Sequence, residues 1–180
     1  MFHSAAEPAT LASGPYRRSD RASIRPTRFG AGSEDEVLAL FLGLATEQRL
    51  ARFGAPVSDQ AIRAWRSSID RAYYRTVACE RGHDLIGLVE LFGSRAAGWK
   101  RPELALTVRQ PQDSPGLNGR LLELGLGAAR ELGATDVVLY FPTVLPSAEI
   151  LVLSRAGTLD HDTGIAIIPC DAAGEDEFAW

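Results

Sequence analysis

Pro102-Glu103-Leu104-Ala105-Leu106-Thr107-Val108, four connecting residues, and then Asp113-Ser114-Pro115-Gly116-Leu117-Asn118-Gly119-Arg120 is the stretch on which the fold turns. The first run reads as a strand from Glu103 to Val108, and Arg109 to Pro115 as a turn rich in proline and short polar residues. A helix from about Gly116 to Leu132 follows, with Leu117, Leu121, Leu124, Ala128 and Leu132 as its buried stripe, ended by Gly133 through a left-handed cap. A strand that runs through such a turn into a helix presents unpaired backbone amides at the positive end of the helix dipole, which suits a phosphate or pyrophosphate. Asp113 to Arg120 is therefore the candidate functional centre. An ordinary helix start, with proline at the first helical position where no amide is missed, accounts for the same residues and stays open.

Upstream, Ser23 to Phe29 reads as a first strand. Ser33-Glu34-Asp35-Glu36 carries the Ser-x-x-Glu pattern of a helix start, and that helix runs through Leu44. Thr46 is the expected cap of a short helix ending near Phe53. Ser58 to Tyr73 reads as a third helix, with Ile62, Trp65 and Ile69 on one face. The period then changes to two: Arg75 to Glu80 and Leu85 to Phe92 form a hairpin about Arg81-Gly82-His83-Asp84. Downstream, Asp136 to Phe141 is almost wholly apolar and reads as a strand buried on both faces. A helix over Ser147 to Ala156 and a last hairpin, Thr158 to Asp160 with Gly164 to Ile168, close the sheet. There are no internal repeats.

The 180 residues, 46% hydrophobic, suit one domain, read as 23–169, with a leader over 1–22 and an acidic tail over 170–180. No window has the run of about 20 uncharged apolar residues that a membrane span needs, and the first ten residues lack the pattern of a secretory signal. A cytoplasmic protein without membrane association is expected. Cys79 and Cys170 have no close-spaced partners and are expected to be reduced. A net charge of −4 argues against a nucleic-acid partner, which needs a basic face to release counterions from phosphate. Arg17, Arg18, Arg21, Arg25 and Arg28 make one basic segment, read as a solvated leader. His83 and His161 lie in hairpin turns beside Asp84, Asp160 and Asp162, where turn chemistry explains them and no third ligand has metal spacing.

Taken together, the order of elements resembles the GNAT superfamily of acyl-CoA-dependent N-acyltransferases over roughly residues 23–168. In that pattern a strand with Glu near its start leads through a V-x4-[Q/R]-x-x-G-x-[G/A] turn into a long helix. Here Val108, Asp113 and Gly116 to Asn118 stand at those positions without insertion or deletion. Leu44-Ala45-Thr46-Glu47-Gln48-Arg49-Leu50-Ala51-Arg52-Phe53 is similar to the L-S-x-E-S-x-x-x-R-F stretch of a bacterial branch of the family, and Ala156-Gly157-Thr158 falls at its x-Gly-Phe position. The resemblance implies an α/β (α+β) fold: a mixed, mostly antiparallel twisted sheet with helices on both faces. It also implies acetyl-CoA as co-substrate, no metal, and direct transfer to a primary amine of a small molecule or protein, by a monomer or homodimer.

Residue by residue, the resemblance makes Glu103 the general base, and Leu106, Thr107 and Val108 the strand whose backbone amide polarises the acyl carbonyl. Asp113, Ser114, Gly116, Leu117, Asn118, Gly119 and Arg120 become the pyrophosphate turn, and Ser147 a pantetheine contact. The departures fall on these contacts. Asp113 replaces Gln or Arg, Ser114 replaces Gly, Pro115 removes an amide donor, and Asn118 replaces the last glycine. A carboxylate about 5 Å from a phosphate costs about 1 kcal/mol in water-like surroundings and about 3 at an effective dielectric of 20. Arg109 and Arg120 flank the turn and offset that repulsion. Leu153 stands where many relatives carry the tyrosine that reprotonates the thiolate, which leaves the role to solvent. The same departures admit a rival: a non-catalytic GNAT domain that senses acyl-CoA or binds a protein.

Overall fold

The computed structural model describes residues 24–28 (backbone alone), 34–81, 84–109, 116–141 and 151–171. Asp113, Ser114 and Ser147, the leader, and the tail beyond Asp171 lie outside these, as does His83. The described elements are β1 (Ile24–Arg28), α1 (Glu34–Leu42), α2 (Thr46–Phe53), α3 (Asp59–Ser68), β2 (Tyr74–Arg81), β3 (Asp84–Ser94), β4 (Gly98–Val108), α4 (Leu117–Glu131), β5 (Asp136–Tyr140), β6 (Thr158–Asp160) and β7 (Ile165–Pro169). The seven strands form one sheet in the order β1-β2-β3-β4-β5-β7-β6. Every pairing is antiparallel except β4 with β5. The expected mixed, mostly antiparallel sheet is what the chain adopts.

Alternation along β2, β3 and β4 splits their side chains between two cores. Val77, Val89, Leu91 and Leu104 pack with Leu121, Leu122 and Leu126 of α4, while Ala78 and Leu88 turn to the opposite face against Val37, Phe41 and Ile62 of α1 and α3. The backbone of α4 comes directly onto the sheet at Gly125, where an added Cβ would stand 2.6 Å from Leu104 Cδ1 and 2.8 Å from Val89 Cγ1. Glycine is what this approach allows.

Several local expectations change. The N-cap of α2 is Ala45, with Thr46 the first helical residue. Helix α3 starts as expected, with Ser58 Oγ accepting the Ala61 amide at 3.2 Å, but stops at Ser68, and Arg71–Tyr73 form a separate turn of 3₁₀ helix. Strand β4 begins five residues earlier than Glu103, because the hairpin pairing with β3 continues to Ser94↔Gly98 despite Lys100 and Arg101. Strand β5 is buried on one face only: Val137 and Leu139 are in the core, Val138 is half-buried and Tyr140 is exposed. The α4 stripe is rotated: Leu117, Leu121, Leu122, Gly125, Leu126 and Ala129 are buried, while Leu124, Ala128 and Leu132 are half-buried. Leu91 and Trp99 belong to or pack against the core. No helix among the described residues is long and apolar enough to cross a membrane.

Candidate functional site

The pairing of β4 with β5 is short. The Thr135 amide donates to Lys100 O at 3.1 Å, Arg101 pairs with Asp136 at 3.1 Å, and Glu103↔Val138 is the one parallel register pair. Beyond it β4 runs on through Leu104–Val108 with β3 on one side and no ladder to β5 on the other. Glu103 thus stands where the register pairing of β4 with β5 ends, on the half-buried face it shares with its cross-strand partner Phe92. Burial is the largest influence on its carboxyl and raises its pKa. Arg52 draws it back down, and Glu90 pushes it up, for a net rise above the ordinary glutamate value.

Of the other strand residues singled out by sequence, Leu106 and Val108 pack their side chains against the α4-side core, while Thr107 is buried on the opposite face with its hydroxyl unpartnered among the described residues. The end of β4 is clamped from α2. Gln48 accepts the Ala45 amide through Oε1 at 2.8 Å and donates through Nε2 to Val108 O at 3.0 Å and Arg109 O at 2.5 Å, so both ends of one amide side chain are used. Helix α2 fully buries none of its own residues; Phe53 packs against Phe41 and Trp65, and side-chain hydrogen bonds hold the rest to the body. Arg49 adds three, to Leu42 O, Leu44 O and Val57 O at 2.7–3.0 Å.

Gly116 is the N-cap of α4 in the left-handed region, at φ 81°, and makes no side-chain cap. Leu117 is the first helical residue, and Pro115 lies outside the described residues. Leu117 is core, while Asn118 and Arg120 are exposed on the first turn. Among the described residues no side chain caps these early amides, which face outward with the dipole behind them.

A buried ionic cluster that sequence reading missed lies beside Glu103. Glu90 on β3 is fully buried. Its Oε1 accepts from the Tyr74 hydroxyl at 2.6 Å and from Arg66 Nη1 at 3.2 Å, and its Oε2 accepts from Arg52 Nη2 at 2.8 Å. Arg66 also donates to the Tyr74 hydroxyl and binds Glu34 Oε2 at 2.7 Å, and Arg71 completes the chain onto Glu34. The two inner guanidiniums lie 5.4 and 5.6 Å from the centre of the Trp65 ring. The one signal in the sequence was Glu90 itself, a lone carboxylate in the otherwise apolar run Leu85 to Phe92. Next to this cluster Trp65, Tyr73 and Phe92 line a cavity of about 240 Å³, with Asp70 and Arg95 also part of its wall.

Other candidates resolve locally. Asp160 Oδ1 accepts the amides of Asp162 at 2.9 Å and Thr163 at 3.4 Å, so it serves its turn. Among the described residues no group of three His, Cys, Asp or Glu side chains is placed to hold a metal. Cys79 and Cys170 are buried free thiols pushed by burial up to about 11, too high to act as thiolate nucleophiles at neutral pH. Leu153 is 58% exposed.

A strand pairing that ends beside a glutamate, followed by a helix that starts at a left-handed glycine, is set here in a fold shared with solved acetyltransferases. The fold is that of the GNAT superfamily. The chain is similar to the GNAT domain of S. lividans PAT, at 17% identity and a TM-score of 0.60 over 81% of this chain and 88% of that one. It is similar to spermidine N-acetyltransferase from Vibrio cholerae, solved with CoA and spermine, at 16% identity and 0.63 over 84% and 98%. It is similar to a GNAT family acetyltransferase from Brucella melitensis, solved with acetyl-CoA, at 14% identity and 0.58 over 81% and 87%. No family model and no curated protein matches the sequence.

Proposed function

We propose that this protein transfers an acetyl group from acetyl-CoA to a primary amine, directly and within a ternary complex. The observation that carries this reading is the end of the β4–β5 register pairing at Glu103↔Val138, which sets a half-buried carboxylate where β4 runs on unpaired to β5 toward the α4 N-terminus. Acetyl-CoA, bound in the Brucella melitensis structure, supplies the activated acyl thioester. The residues present fit it: at the left-handed Gly116 cap the first α4 amides have no side-chain acceptor among the described residues, and Arg120 is exposed beside them. Gly116 to Arg120 then hold the diphosphate against the repulsion expected from Asp113, while Ser114 and Ser147, which the resemblance gives to the cofactor, lie with Asp113 outside the described residues. Glu103 takes the proton from the acceptor ammonium, directly or through water. A backbone amide within Leu106–Val108 polarises the acyl carbonyl as the amine nitrogen bonds to it and the carbon–sulfur bond breaks. The departing thiolate is protonated by solvent.

The aromatic cavity holds the body of the acceptor, since Phe92 on its wall is the cross-strand partner of Glu103. The Vibrio cholerae enzyme, with spermine bound, supports an amine acceptor of small-molecule kind. Gln48 fixes the strand end that leads into the diphosphate turn. Replacing it by alanine removes two hydrogen bonds to that strand, worth about 1 kcal/mol each, and is expected to weaken acetyl-CoA binding roughly tenfold in a calorimetric titration. Unchanged affinity would remove Gln48 from the site.

The test of the function is release of free CoA thiol by the purified protein with acetyl-CoA and a broad panel of primary amines. Amine-dependent release above the buffer rate supports the enzyme. A second reading, a CoA-binding module without turnover, is favoured by the exposed leucine at position 153. It gains support if acetyl-CoA binds while no amine in the panel is acetylated.

A further inference from the structure

We propose that Arg52 is a positioning residue of the reaction centre: anchored on Glu90 and braced by aromatic rings, it is the counter-ion that keeps Glu103 a carboxylate. This rests on Glu103 being the base. The pairs Glu90↔Ala105 and Phe92↔Glu103 put Glu90 and Glu103 on one face of neighbouring strands, two residues apart along the ladder. Such diagonal neighbours lie about 7–8 Å apart. Arg52, bonded to Glu90 at 2.8 Å, is thereby held within reach of both carboxylates.

Its position is fixed from three sides. The guanidinium lies 5.1 Å from the Phe53 ring centre, 5.4 Å from Trp65 and 6.0 Å from Phe41, its side chain is 12% exposed, and its Nε has no partner among the described residues. A buried cation with a spare donor is stabilised by a second negative charge.

The charges of the cluster point the same way. Arg52, Arg66 and Arg71 face Glu34 and Glu90, which leaves one positive charge over. The Tyr74 phenol is kept protonated, since burial raises its pKa above the ordinary tyrosine value. Arg101 and Asp136, on the β4–β5 side, close on each other at 3.1 Å. Glu103, two residues along the ladder from Glu90, is placed to balance the remaining cation. Without Arg52 it would be left with burial and Glu90, both of which oppose its ionisation.

The test is a titration of the Glu103 side-chain carboxyl by carbon-13 NMR of glutamate-labelled protein, with the resonance assigned by its loss in Glu103→Gln. Arg52→Gln is expected to move the midpoint up by about half a pH unit or more, and Glu90→Gln to move it down, because repulsion is lifted and Arg52 is freed toward Glu103. Opposite signs from two partners of one ion pair are what a merely structural role would not give. Either folded variant suffices as a test, and a midpoint that stays put or moves the other way overturns the proposal. Arg52→Lys, which keeps the charge, is expected to restore most of the midpoint. Failure of the underlying base assignment reads differently: the signed shifts would be present, but Glu103→Gln would acetylate at the wild-type rate.

Discussion

Under the proposed mechanism, Glu103→Gln is expected to lower kcat/KM for acetyl transfer by about 10²–10⁴-fold, the range that a positioned general base contributes, or about 3–5 kcal/mol of barrier. Binding of acetyl-CoA is expected to stay within about twofold, because Glu103 lies five residues along β4 from Val108, where the strand leads toward α4. The pH dependence carries a sign. The group must be ionised to accept a proton, and burial sets its pKa above the ordinary glutamate value. The acid limb of kcat/KM in the wild type therefore lies above that value, and activity is lost as the pH falls through it. The variant loses this limb. The same raised pKa means that ionised Glu103 opposes folding above its folded pKa, and that this opposition vanishes as the carboxyl protonates. Glu103→Gln is thus expected to raise Tm at neutral pH, with the gain shrinking in acid. A variant that keeps both the rate and the acid limb would remove Glu103 as the base.

Glu90→Ala has the largest expected effect on stability, a loss of about 3–5 kcal/mol in urea unfolding. The removed carboxylate holds three donors: Arg52, Arg66 and Tyr74. Arg66 retains Glu34, but Arg52 loses its one ion pair among the described residues while remaining 12% exposed. A buried guanidinium without its anion cannot be rehydrated without opening the α2–sheet contact, and that cost dominates. Arg95→Ala is the control: its pair with Asp70 is longer, at 3.2 Å, and Arg95 is 85% exposed, so the change should be no more than about 1 kcal/mol. Equal effects of the two substitutions would show that the Glu90 cluster is not holding the helices to the sheet.

The arrangement of elements was legible because the chain changes period cleanly. Ile62 and Trp65 repeat at helical spacing, Leu85 to Phe92 at strand spacing, and Glu103 to Val108 runs into a turn with glycine where φ is positive. Glu103 at the end of the β4–β5 pairing was legible through the family pattern and not through local chemistry. The ionic cluster was hidden because its members come from α1, α2, α3, β2 and β3, and no spacing in the chain announces which arginine meets which carboxylate. Arg52 and Gln48 were visible as letters of a motif, yet their tasks depend on where α2 docks. The ends of β4 and α3 were misread for a related reason. Lys100 and Arg101 suggest a loop, but hairpin pairing with β3 carries the strand through them. Tyr73 continues an apolar pattern, but the chain has already left the helix at Ser68.

Calorimetric titration of acetyl-CoA into the wild-type protein at moderate salt, repeated with desulfo-CoA, tests the central claim most directly. The account predicts saturable one-to-one binding in the micromolar range for both, since under the proposed reading the α4 N-terminus and the β4 edge would recognise the diphosphate and the pantetheine arm without need of the sulfur. No heat of binding up to millimolar ligand would contradict it: Asp113 and Pro115 would then have abolished the site, and the acetyltransferase reading would fall with it.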